Sequence, residues 1–413
     1  MSVRKTLLGL VAVLVVAAAV IYFQDTHFWY RYVLLQSNDG ILPVEGWAGS
    51  EFEVRGADGP LLKVADAQTR TISEDALSKV VDYAAARNST SLLVWHHGQL
   101  LVRQHFQGFD ADTAIVGKSM AKMVVAVVVG RAIKQGYIAS LDEPAASYLY
   151  EWQGSEKESI TIRHMLQMAA GLEPFYEVSN NPFGRFLRSY IGGQNESTLL
   201  HGYSLIDEPG STYDYSQVVS DLLGLILERS TGMPYGQYLS ESLLEPIGAQ
   251  GGQVMMNRPG GLAHTGCCLL LPSESWLRVG IFLMNGGVID GQNYLPDGWM
   301  KDYLEPSPSN PAMGLHIWLG EPYLERRSWS EVGTPSRFGV LHSEPYLASD
   351  LFLFDGNGHQ VMYVVPSKGL VALRTGSWTF STGNEWDNAF IPNTLIRGIT
   401  PHTMPGNPDL AEQ

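Results

Sequence analysis

Ser119 and Lys122 stand three residues apart at the head of a mostly apolar run, Met120 to Ile133, that reads as a buried helix. On a helix this spacing puts the hydroxyl and the amine on one face. Burial penalises a charged amine, so such a lysine can lose its proton near neutral pH. It can then take the proton of a serine too weak to attack unaided. The serine N–H, at the helix start, lies near the positive end of the dipole and suits a developing oxyanion. Tyr215 sits on a turn just before a second helix, read from near Ser216 through Leu227, and can complete the proton path as general base and general acid. Tyr213, two residues earlier, is a competing phenol.

Two other readings of these residues fail. Gly117-Lys118-Ser119 would end a phosphate-binding loop only with a glycine five residues before Gly117, where Asp112 stands. Gly117 to Ala121 nearly matches a nucleophile elbow, but Phe109 to Thr113 is a polar turn rather than the buried strand that motif follows.

The elements around these residues have readable patterns. Glu74 to Arg87 has helical periodicity, and Ser91 to Phe106 reads as a hairpin turning at His97-Gly98. Ile162 to Ala169 and Trp276 to Leu283 read as helices. Leu351 to Phe354, Gln360 to Pro366 and Leu370 to Arg374 read as strands between glycine-containing turns. Strands at both ends with helices between predict an α+β fold, an antiparallel sheet flanked by helices beside a mostly helical region. The expected organisation is a segment 1–24 that enters a membrane, a linker 25–72 packing on the domain, a catalytic domain 73–398 and a loose proline-rich tail 399–413.

Arg4 and Lys5 precede seventeen uncharged, mostly apolar residues, Leu7 to Phe23, followed by the aromatic group Phe28-Trp29-Tyr30. That order predicts a single-pass transmembrane helix with its N-terminus in the cytoplasm. A cleaved signal peptide is the alternative, with Ala17-Ala18-Ala19 as its small-residue site. Either puts the catalytic chain on the extracytoplasmic, periplasmic side.

With 42 acidic against 27 basic side chains the formal charge is −15, which argues against a nucleic-acid partner. The two cysteines, Cys267 and Cys268, are adjacent, and neighbours rarely bridge each other, so no disulfide framework is expected. His96 and His97 are neighbours on an apparent strand and should face opposite ways, so no metal is expected. The chemistry of serine, lysine and tyrosine calls for no cofactor.

Taken together, these motifs resemble the serine β-lactamase-like superfamily, which includes class C β-lactamases, D-alanyl-D-alanine peptidases and related esterases. The resemblance runs from about residue 75 to 395. It rests on Ser119 to Lys122, Ala139 to Pro144 with Tyr148-Leu149, Ile160 to Leu172, and Tyr213 to Gly232. Gly260-Gly261, Gly266-Cys267-Cys268, Trp276 to Gly280, Gly314 to Trp318 and Gly356 to Gln360 look like the branch of 6-aminohexanoate-oligomer hydrolases and carboxylesterases.

The resemblance implies a β-lactamase/transpeptidase-like fold and an acyl-enzyme on Ser119, with Lys122 and Tyr215 as proton-transfer groups. It puts the second oxyanion donor at Asn357 or its neighbour, after the strand ending Phe354-Asp355-Gly356. His264-Thr265-Gly266 spells the family's third motif but sits before the wrong helix. Tyr176, Gln217, Gly356 and His359 are the expected pocket residues, with Glu177 beside Tyr176.

Two departures shape the expected substrate. Gln217 stands where the family usually has asparagine. Asp355 stands where penicillin-recognising members carry a cation, and it would repel a substrate carboxylate. An ester or neutral amide is therefore expected. The rivals are a cell-wall D-Ala-D-Ala peptidase or transferase, for which Arg374 is the nearest cation, and a non-catalytic scaffold module.

Overall fold

The computed structural model describes residues 2–37, 44–175, 181–330, 332–333, 339–377 and 385–400. The tail predicted to be loose lies outside the described residues from 401 onward, as do Tyr176 and Glu177.

The N-terminal part carries helices α1 (Ser2–Gln24) and α2 (Thr26–Ser37), then strand β1 (Glu51–Val54). Helix α3 (Glu74–Ala85) leads into the hairpin β2 (Ser89–His96) and β3 (Gln99–His105), followed by β4 (Ala114–Val116) and helix α4 (Met120–Lys134). Beyond them come α5 (Gln217–Thr231), β5 (Gly252–Met255), β6 (Leu269–Pro272) and α6 (Ser273–Met284). The last elements are β7 (Trp318–Leu319), β8 (Phe352–Gly356), β9 (Gln360–Val365), β10 (Leu370–Gly376) and α7 (Phe390–Arg397).

Six of the strands form one antiparallel sheet in the order β3-β2-β10-β9-β8-β7. The chain's late strands thus join its early hairpin, with Leu93 opposite Leu373 and Val94 opposite Ala372. Every residue of β9 is buried, as expected of a strand covered on both faces. α6 lies on β9 and β10, where Gly280 has no room for a Cβ between Met362 and Val371. A smaller sheet, β1-β5-β6-β4, delivers the chain to Ser119.

α4 is mostly apolar and buried from Met120 to Ala132, Lys122 and Arg131 included. Its Val-rich sequence has modest helix propensity, so tertiary packing sustains it. It packs against α5, which ends at Gly232 in the left-handed conformation that stops a helix (φ 71°). The predicted 162–169 helix stops at Leu166, because Met168 turns to φ 55°.

Within the stretch expected to be a linker, the described residues include a packed helix. α2 buries Phe28, Arg31 and Leu35 in a second core with Trp47, Leu187, Ile191 and Cys268. Arg31 donates to the carbonyls of Gly46, Ile191 and Asn257 at 3.1, 3.2 and 2.7 Å. Asp25 accepts from Phe28 N at 2.9 Å and from Gly193 N at 3.1 Å. The pairings with Ile191, Asn257 and Gly193 are long-range and leave no local periodicity to read. In α1, by contrast, Thr6–Gln24 is not packed into the fold and is long and apolar enough to act as a signal sequence or membrane anchor.

Two expectations from side-chain spacing are corrected. Cys267 and Cys268 are joined by a disulfide despite their adjacency. His97 leaves the strand at φ 44°, so its ring meets that of His96 edge to face at 4.4 Å instead of facing away. His96 bonds Thr71 at 2.5 Å, and no metal-ligand cluster occurs among the described residues.

Candidate functional site

β4 ends at Val116, and the Gly117-Lys118 turn brings Ser119 to the first position before α4. Gly117 must be glycine, because a Cβ there would come within 2.3 Å of the Trp276 ring. Lys122 Nζ lies 3.4 Å from Ser119 Oγ, 2.7 Å from Gln217 Oε1 and 2.6 Å from the Gly266 carbonyl oxygen. Its side chain is 1% exposed, and burial pulls its pKa down to about 7, with Asp221 acting the other way.

Behind the lysine is a second layer. Gln217 Nε2 donates to Asp221 Oδ1 at 2.9 Å, fixing which end of the amide faces Lys122. Gly266 N donates to the same carboxylate oxygen at 3.1 Å, and His264 Nδ1 lies 3.4 Å from the other. His264-Thr265-Gly266 therefore lies beneath the lysine, apart from the last strands.

Tyr215 hydrogen-bonds Ser119, and its ring lies parallel to Trp318 at 6.1 Å. Burial raises its pKa above that of a free phenol, so it is a protonated hydroxyl at neutral pH. Tyr213 is otherwise engaged: its hydroxyl donates to the Trp329 carbonyl at 3.1 Å.

Ser119 and Tyr215 open onto a cavity of about 230 Å³ lined by Trp318, Arg327, Trp329, Val340, Asp355, Gly356, Asn357 and His359. A larger hollow of about 490 Å³, around Leu283 and Phe352, contains none of these reactive side chains. At Gly356 the end of β8 presses against the start of α4. A Cβ there would stand 2.7 Å from the Gly117 oxygen and 3.1 Å from Ser119 N. His359 stacks on Trp386 at 5.7 Å, and burial pushes its pKa down to about 3, so it is neutral.

Gln217, expected in the pocket, instead turns inward to Lys122. Arg374, expected as the nearest cation, is also turned away: it donates to the Gly358 and His359 carbonyls at 2.8 and 2.7 Å. The cation that lines the cavity is Arg327, which the motifs did not reveal. Its guanidinium is paired with Asp355 and lies over the Trp318 ring at 4.2 Å. Asn388 also donates to Asp355, at 3.1 Å. Burial raises the Asp355 pKa, and Arg327 opposes the shift.

A family model described as Beta-lactamase matches residues 76–261. The 6-aminohexanoate-dimer hydrolase of Paenarthrobacter ureafaciens is 25% identical over 266 residues, 60% of this chain and 67% of that protein. Esterase EstB of Burkholderia gladioli is 30% identical over 178 residues, 38% of this chain and less than half (44%) of its own length. A solved penicillin-binding-protein homologue from Caulobacter crescentus superposes with a TM-score of 0.59 at 16% identity, over 80% of this chain and 99% of that one. At that identity the superposition speaks for the fold alone.

Proposed function

We propose that this chain, matched over residues 76–261 by the Beta-lactamase family model, is a member of that family and an extracytoplasmic serine hydrolase, held by α1 as a membrane anchor and cleaving a small ester or amide. One observation carries the mechanism: both short contacts of Lys122 Nζ are to acceptors, Gln217 Oε1 and the Gly266 carbonyl. A neutral amine has two N–H bonds and one lone pair. With both protons directed to those acceptors, the lone pair is left for Ser119. A pKa near 7 makes the neutral form available.

Ser119 Oγ attacks the substrate carbonyl as its proton moves to Lys122. The oxyanion forms against the N–H of Ser119 and that of Asn357, at the junction where Gly356 meets α4. Because Tyr215 is held protonated, it serves as a relay. Its phenol gives its proton to the leaving alcohol or amine and recovers one from Lys122. Water then enters, attacks the acyl carbonyl, and sends its proton back through Tyr215 as Ser119 is released. The relatives' names, a 6-aminohexanoate-dimer hydrolase and an esterase, support a small ester or amide as substrate.

The second reading, a peptidase or transferase acting on carboxylate-bearing peptides, is favoured by Arg327 in the cavity wall. Asp355 weighs against it by already occupying that guanidinium. Turnover of matched neutral and carboxylate-bearing esters and amides, with a β-lactam alongside, decides between them. Preference for neutral substrates supports the first reading, and preference for the carboxylates supports the second.

A further inference from the structure

The Gly266 carbonyl, one of the two acceptors on Lys122, belongs to the residue bonded directly to Cys267. The Cys267–Cys268 disulfide closes a small ring around the next peptide unit, so the chain leaving Gly266 has little freedom to turn. The same turn is stitched down elsewhere. Cys268 N donates to the His264 carbonyl at 3.1 Å, and Thr265 Oγ1 donates to the Ser220 carbonyl at 2.7 Å. Gly266 itself packs so tightly on Gln217 that a Cβ would come within 2.4 Å of its amide. The turn thus supplies one acceptor to the lysine and supports the residue that supplies the other.

On its other side the disulfide faces the second core. Cys268 is buried there with Trp47, Phe28 and Leu35, while Cys267 is partly exposed. Both cysteines line a small hollow of about 40 Å³ with Lys118, the residue before the nucleophile.

We propose that the Cys267–Cys268 disulfide is a positioning element for Lys122, and that its reduction slows acyl transfer without unfolding the domain. This rests on Lys122 acting as the base in the proposed hydrolase. In the reduction, a dithiol gives two electrons and two protons and becomes a disulfide. The Cys267–Cys268 S–S bond breaks and two S–H bonds form. The freed turn no longer holds the Gly266 carbonyl on Nζ, and the lone pair loses its fixed direction.

The test uses the full chain in detergent, oxidised or treated with dithiothreitol, beside the Cys267→Ser/Cys268→Ser double variant. Alkylation and intact mass establish how many thiols are free, and thermal melting reports the fold. The expected result is a kcat lower by roughly ten- to a hundredfold in the reduced enzyme and in the variant, as misdirected catalytic groups typically cost. KM should be unchanged, the acid limb of the pH profile displaced, and the melting transition kept. Reoxidation should restore the rate of the wild type alone. Equal kcat and an unchanged pH profile with both thiols demonstrably free overturn the proposal, and so does a rate loss that merely tracks unfolding. Ser119→Ala separates the two ideas. If that variant retains activity, the hydrolase reading itself fails. If it is dead while reduction has no effect, only the role of the disulfide fails.

Discussion

Lys122 donates to Gln217 at 2.7 Å, and the other end of that amide is fixed by Asp221 at 2.9 Å. The acceptor on the lysine is therefore a neutral oxygen, with the carboxylate one side chain further away. That arrangement lets burial keep the Lys122 pKa at about 7. As the base must be neutral, kcat/KM should rise as the pH climbs through about 7. Gln217→Glu would put a carboxylate against the amine, favour the ammonium and move that limb to higher pH. A pH profile of each protein checks this. An unmoved limb in the variant would mean that another group sets it.

The same depressed pKa has a sign for stability. Unfolded, the Lys122 amine titrates near the ordinary lysine value of 10.5, and folded at about 7. Between those values the unfolded chain holds more protons, so this group's contribution to stability increases with pH across that window. Lys122→Met should remove the cost of burying the amine, melting higher at neutral pH while losing turnover. A variant that melts lower at neutral pH would contradict the account.

Gly356 brings β8 against the first turn of α4, with no space for a methyl group beside Ser119 N. Gly356→Ala should therefore crowd the oxyanion position. A loss of about a hundredfold in kcat is expected, the scale seen when an oxyanion donor is lost, with a smaller change in KM. Wild-type turnover in a folded variant would place the oxyanion elsewhere.

Arg327 and Asp355 meet in the cavity wall, so the cation is present but occupied. Asp355→Asn would free the guanidinium while keeping a polar group near Asn388. Relative kcat/KM for a carboxylate-bearing ester over its neutral analogue should rise by about tenfold, the worth of one hydrogen bond to a charged group. No change in that ratio would show that the substrate's acid does not reach Arg327.

The sequence made some of this legible and hid the rest for identifiable reasons. α4, the hairpin and the last strands announced themselves because continuous apolar runs and glycine turns are local patterns. Ser119, Lys122 and Tyr215 announced themselves through residue type and spacing, and in the structure Ser119 and Tyr215 line one cavity with Lys122 buried beside Ser119. Arg327 did not, because it reaches Asp355 from a two-residue strand, Arg326–Arg327, with no periodicity to detect. Gly266 acts through its carbonyl, a group every residue has. α2 lay within the expected linker because its buried face includes Arg31, an unusual core residue that serves by capping distant carbonyls.

That clamp ties α2 to Gly46, Ile191 and Asn257. A chain beginning at residue 25 should fold and hydrolyse substrate like the full protein, while one beginning at residue 73 should lose the second core and edge strand β1 and fail to fold. Circular dichroism and activity of the two truncations check this, and an active, folded 73–413 chain would contradict it.

The most direct test of the central claim is intact-mass spectrometry of the full chain after exposure to a fluorophosphonate, with Ser119→Ala and Lys122→Met alongside. The account predicts one covalent adduct on the wild type, none on Ser119→Ala and markedly slowed labelling of Lys122→Met. A folded wild type that takes up no adduct, or an equal adduct on Ser119→Ala, would contradict the assignment of Ser119 as the nucleophile.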